Sequence, residues 1–278
     1  MLRRGFIQRI VVWFFLFSLN LMVLVSCSVE ANNIQTIAPR AYPLEPGAVV
    51  VIEAAAGRIA LTNGESAQVT LAGEASLANP DDPFVEQRPD GLYITTVGPR
   101  DTVSFTLQLP PGVQVKINTF DAQVNVQDFA GSLDVTTAAG DIFINTMDGL
   151  AIIRANRGDV FIESSTGEFH LPGNYGLLSL TDVSGDIEAS TIMGAIRFQG
   201  YVGALDSVTF ETDHGPVEAW LDSDSDVAVT VGTTTGVVHC VIPGLNPSGA
   251  GCFGQLGSGA GTLNVRTISG KVDLMKLP

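Results

Sequence analysis

Glycine recurs every nine residues through the middle of this chain, at 131, 140, 149, 158, 167, 176, 185, 194 and 203. A chain that bends at such even intervals has room for about five extended residues between bends, enough for a short strand but not for a helix. The second and fourth residues after each glycine are mostly apolar, as in Leu133 and Val135, Ile142 and Ile144, Ala151 and Ile153, Val160 and Ile162. That alternation turns one side of each strand inward. A single unit cannot enclose a core, so the units have to stack with neighbouring strands paired. Glycine suits the bend because it takes positive φ without a steric penalty.

The expected fold is therefore all-β: a β-solenoid or β-helix-like stack of about nine-residue strand-turn units. Irregular N-terminal strands precede it, with apolar alternation at Val49-Val51, Ile59-Leu61, Val69-Leu71, Leu92-Ile94 and Val103-Phe105-Leu107-Leu109. A longer unit, apolar-x-apolar-x-Thr-x-x-Gly-x-apolar-x-apolar, occupies residues 133–144, 208–219 and 263–274. Looser copies occupy 178–189 and 115–126, the second with Ala122 in place of glycine. The repeat thus reaches almost to the end, and residues 47–278 read as one domain.

Ahead of the repeats, Arg3, Arg4 and Arg9 precede an apolar stretch from residue 10 to 25 that ends in Leu24-Val25-Ser26-Cys27. Residues 1–26 read as an export signal, and the four closing residues resemble the lipobox of bacterial lipoproteins, in which cysteine receives the lipid. Cys27 is the expected lipidation site, since several acyl chains hold a protein on a bilayer where one does not. An uncleaved signal anchor is the alternative, and both place the remainder outside the cytoplasm. Residues 27–46 then read as the lipidated cysteine and a polar tether.

Removing the signal sheds three arginines and no acid, taking the net charge from -15 to -18. Such a surface repels phosphate backbones and anionic headgroups, so nucleic acid is not an expected partner and the membrane is reached through the lipid. Cys240 and Cys252 bracket a Gly- and Pro-containing loop and are expected to form a disulfide in an oxidising compartment.

At this point the chain resembles the adhesin-like bacterial envelope domains known as DUF4097, with DUF2807 a weaker match. The resemblance rests on Leu133-Asp-Val-Thr-Thr-Ala-Ala-Gly-Asp-Ile-Phe-Ile144, Val183-Ser-Gly-Asp-Ile187, Thr267-Ile-Ser-Gly-Lys-Val-Asp-Leu274 and Leu107-Gln-Leu-Pro-Pro-Gly-Val113. It implies a β-helix-like surface domain without established catalytic residues, so no site is carried over. The departures at Gly215-Pro216 and Gly236-Val237 put the regularity of the last coils in question.

Candidate chemistry is sparse. Asp141, Asp159 and Asp186 each follow a repeat glycine and would form a carboxylate row if the coils aligned them, although Gly-Asp is also an ordinary turn pair. Asp222, Asp224 and Asp226 alternate as in a calcium loop, but Val227 replaces the sharp-turn glycine, so a solvated loop is expected. Arg157-Gly158-Asp159 spells a recognition tripeptide whose last two residues the repeat already explains. Phe143 and Phe161 share an outward repeat position 18 residues apart, with Ile152 between them; if two strands make one turn the two rings stack, and the three mark an apolar contact surface unless the N-terminal strands cover it. The expectation is a lipid-anchored, non-enzymatic binding or scaffold module on the outer surface of a cell, with a glycan or envelope protein as partner and no cofactor or resident metal. The alternatives are a polysaccharide lyase or glycosidase, or an envelope-stress component acting by protein contacts.

Overall fold

In a computed structural model of the chain, Ile142 lies beside Val160, Val160 beside Leu178 and Leu178 beside Ile196, each pair parallel and 18 residues apart. The nine-residue unit is therefore half a coil. Each coil leaves along one row of strands and returns along a second, and the inward side chains of both rows, such as Ile142, Ile144, Ala151 and Ile153, join one buried core. The structure describes residues 33–44, 47–64, 68–77, 84–96, 98 and 101–277. The expected export signal and the expected lipidation site Cys27 lie outside the described residues.

The described strands are β1 (Asn33–Pro43), β2 (Val49–Asn63), β3 (Gln68–Leu77), β4 (Val85–Arg88), β5 (Gly91–Thr95) and β6 (Thr102–Leu109). Four long strands follow: β7 (Val113–Thr137), β8 (Ile142–Ala155), β9 (Val160–Asn174) and β10 (Leu178–Thr191). Shorter ones complete the chain: β11 (Ile196–Gly200), β12 (Ser207–Thr212), β13 (Val217–Leu221), β14 (Val227–Thr233) and β15 (Val238–Cys240). The last are β16 (Leu245–Ser248), β17 (Gly251–Leu256), β18 (Gly261–Thr267) and β19 (Val272–Lys276). No helix occurs among the described residues.

The long strands are long because they pass through the first of the two corners without losing their pairing. At that corner one residue per coil is left-handed: Asp128, Thr146, Ser164 and Asp182, with φ between 48° and 58°. Three residues on, Gly149, Gly167 and Gly185 also have positive φ. Inward of the bend, Phe129, Met147, Ser165 and Val183 are buried. The Ser165 hydroxyl accepts from the Met147 N–H at 3.0 Å and donates to the Glu163 carbonyl.

The second corner uses glycine for another reason. Gly140, Gly158 and Gly194 lack positive φ, yet a Cβ on any of them would collide with the backbone carbonyl of the coil beneath, Gly158 against Gly140 and Gly194 against Gly176. The expectation that positive φ explains the glycine period thus holds at one corner only; at the other, backbone lies directly on backbone and no side chain fits.

Threonine completes that corner. The Oγ1 of Thr137, Thr212, Thr233 and Thr267 accepts the N–H of the glycine three residues later at 2.7–3.0 Å. Thr191 instead donates to the Gly194 carbonyl. Asn174 stands in where threonine is missing, donating to the Gly158 carbonyl and accepting from the Gly176 N–H. The coils at Gly215-Pro216 and Gly236-Val237 keep this geometry, so their departure in sequence leaves the bend intact.

What the repeats do not announce is the order of stacking. At the C-terminal end β12 and β13 pair with β18 and β19, which pair in turn with β14 and β15. The final coil is thus inserted between two laid down before it. The N-terminal end mirrors this: β2 lies between β5 and β6 on one side and β7 on the other. Antiparallel strands cover the resulting edges, β3 on β6, β4 on β5 and β17 on β14, and so blunt the ends against edge-to-edge pairing.

Residues 33–43, expected as part of a tether, form β1, paired antiparallel with β3. Its exposed side chains, such as Ile34 and Arg40, give it no apolar period to read, because β1 is an outer strand held by backbone pairing.

Candidate functional site

Parallel register places every outward side chain directly above its equivalent in the next coil, roughly 4.8 Å away. Each row therefore presents a ladder. On the first row Asn125, Phe143, Phe161, Ser179 and Arg197 follow one another. Phe143 and Phe161 stack with centroids 5.0 Å apart and planes at 4°. Each ring covers one face of the other, so both are half-buried. The N-terminal strands extend the stack at its end, beyond β7.

Ile152 is not part of that strip. It belongs to the second row, between Asp134 and His170. With two strands to a coil, residues nine apart fall on opposite faces, which corrects the expectation of one strip containing all three side chains.

Charged steps flank the apolar ones on both ladders. On the first row Arg197 Nε meets Glu218 at 3.0 Å, and Lys271 Nζ meets Asp273 at 2.7 Å. On the second, Arg154 meets Asp134 at 2.7 Å, while His170 lies between Glu168 at 2.7 Å and Glu188 at 3.2 Å. The hydrogen bond to Glu168 holds the His170 imidazole above its ordinary pKa, with burial opposing it and Glu188 reinforcing it. Apart from Asp273, which is buried, these groups are at least partly exposed, so the pairs set the charge pattern of the faces more than they stabilise the fold.

The three repeat aspartates do not form one row. Asp141 and Asp159 are one coil apart at the second corner, whereas Asp186 pairs with Glu168 on the second row. Their carboxylates are engaged by backbone: Asp141 accepts from the Asp159 N–H at 2.9 Å, Asp159 from Leu177 at 2.8 Å and Asp186 from Ser207 at 3.0 Å. The same engagement ties Asp159 of the Arg-Gly-Asp tripeptide into the corner, beside a buried Gly158. The aspartate is a corner brace here.

Asp222, Asp224 and Asp226 part company as well. Asp222 accepts from the Asp224 N–H at 2.9 Å, closing its own turn. Asp226 reaches to the loop before β18, accepting from the Ser258 hydroxyl at 2.9 Å and the Gly259 N–H at 2.7 Å, and the Ser258 bond foremost lowers its pKa. Among the described residues no group of three metal-ligating side chains is assembled.

Cys240 and Cys252 are joined by a disulfide with Cα atoms 6.3 Å apart. It ties β15, at the edge of the first row, to the hairpin strand β17 that covers the second. The bond therefore staples the outermost coil to its cap.

Fold and surface together define a two-row β-solenoid with laddered faces. No family model and no curated protein matches the chain. Among solved structures it is similar to a "putative cell adhesion protein" from Clostridium sporogenes, at 12% identity and a TM-score of 0.29, covering 87% of this chain and 100% of that one. It is also similar to a "putative adhesin" from Bacteroides fragilis, at 12% identity and a TM-score of 0.35, covering 88% and 98% respectively. The solenoid rests on this chain's own strand register.

Proposed function

We propose that the chain is a lipid-anchored, non-enzymatic binding or scaffold module on the outer surface of a bacterial envelope. The observation that carries this reading is the pair of laddered faces, on which coil after coil repeats side-chain positions in fixed register. Such a surface suits an extended partner better than a small substrate, because contacts recur along the stack instead of converging on one point. The aspartates that would have supplied chemistry are engaged in bracing turns. The export signal, Cys27 and the Cys240–Cys252 disulfide support an extracytoplasmic, oxidising location.

Two measurements test the reading. The full chain produced in bacteria fed labelled palmitate is expected to take up label, and Cys27→Ser to lose it and leave the membrane fraction. Cells carrying the wild-type chain are expected to attach to a surface or envelope polymer more strongly than cells lacking it. Equal attachment and equal envelope integrity in the two strains would overturn the binding role.

A further inference from the structure

A groove of about 630 Å³ lies where the second row meets the second corner, apart from both ladders' central positions. It runs along the solenoid axis across the coils of β9, β10, β12, β18 and β14. Five rungs at roughly 4.8 Å spacing give it a length of about 19 Å. Ser190, Glu211 and Arg266 form its face-side wall, and Ile192, Asp213 and Ile268 its corner-side wall. Gly173 and Gly232 stand at its two ends, where no atom lies within 4 Å of the place a Cβ would take.

The groove owes its composition to the inserted coil. Arg266 of β18 sits beside Glu211 of β12 only because β18 lies between β12 and β14. Arg266 and Glu211 are 3.8 Å apart and largely exposed, so the pair is weak and both groups can turn to a ligand. The Ser190 hydroxyl is held in place by the Gly173 N–H at 3.0 Å.

We propose that this groove binds a linear, neutral polysaccharide laid along the solenoid axis; the inference rests on the binding-module reading above and names its ligand and its place. Four properties point to that chemistry. The walls mix hydroxyl, carboxylate and guanidinium groups, which bind sugar hydroxyls, with the aliphatic patches of Ile192 and Ile268, which suit the C–H faces of pyranose rings. The site is elongated and offers one side-chain position per wall on each coil, a spacing of roughly 4.8 Å that suits a polymer of similar repeat length. Glu211, Asp213 and a chain of net charge -15 disfavour an anionic polymer. A peptide adding as a strand is disfavoured too, because the corner rungs are already paired: Asp213 N–H to Thr191, Ile268 to Thr212 and Thr234 to Thr267, at 3.1–3.2 Å.

The test is native affinity electrophoresis of the full chain in detergent, through gels holding galactomannan, xyloglucan or glycol chitin, with polygalacturonate as the anionic probe. At least one neutral polymer is expected to retard the wild-type chain. Ser190→Trp, which fills the groove, is expected to abolish retardation. Asp213→Ala and Arg266→Ala, milder changes at exposed positions, should each weaken it about tenfold, the scale of one charge-assisted hydrogen bond. Leu205→Ala, at an exposed turn outside both the ladders and the groove, should leave it unchanged.

Retardation by polygalacturonate alone, by no polymer, or undiminished in all three groove variants would overturn the inference. If Phe161→Ala abolishes binding while Ser190→Trp keeps it, the groove assignment fails and the binding module stands. The same holds if no neutral polymer binds but cells carrying the chain still attach better than cells without it.

Discussion

The two corners of each coil look alike in the sequence and are built on different physics. At the first, a left-handed residue such as Thr146 turns the chain, and a glycine three residues later combines positive φ with a neighbouring carbonyl pressed against its Cα. At the second, φ is ordinary, and glycine is required only because backbone stacks on backbone, with a threonine hydroxyl closing the bend. One nine-residue period thus records two separate demands that happen to be met by the same residue.

Substitutions can separate those demands, and thermal or denaturant unfolding of the variants measures each. Gly167→Ala meets both penalties, the carbonyl of Gly149 and φ of 143°, and is expected to cost about 4 kcal/mol or more. Gly158→Ala meets the steric penalty alone, at about 2–3 kcal/mol. If the two losses prove equal, the distinction between the corners is wrong. Thr212→Val removes the acceptor of the buried Gly215 N–H and should cost about 1–3 kcal/mol. The smallest effect is of opposite sign: Thr146→Gly relieves a left-handed β-branched residue and is expected to stabilise by up to about 1 kcal/mol. A loss there would show that the Thr146 side chain contributes more than its strain.

The strand content and the inward residues were legible because alternation and period are local properties, written within each nine residues. Ile142, Ile144, Ala151 and Ile153 are all buried as the pattern requires. The number of strands per coil was not legible, and it alone decides that Phe143 stacks on Phe161 while Ile152 faces away. The order of the coils was hidden for a related reason. Val208, Leu263 and Val229 carry equivalent inward side chains, so any of these rungs packs acceptably on any other, and nothing in residues 263–274 says that they belong between β12 and β14. The groove inherits that obscurity, since its walls come from segments brought together by the insertion. β1 went unread because an outer strand held by its backbone needs no apolar pattern.

The interleaved ends also govern how such a molecule changes length. A rung laid against β19 or β2 has no free side to take, because β19 is flanked by β13 and β15 and β2 by β5 and β6 on one side and β7 on the other. An extra 18 residues duplicated between Gly131 and Gly185, by contrast, meet the same neighbours that they copy. Growth and shrinkage of this architecture are confined to its interior, leaving the two closures as fixed brackets around a variable span.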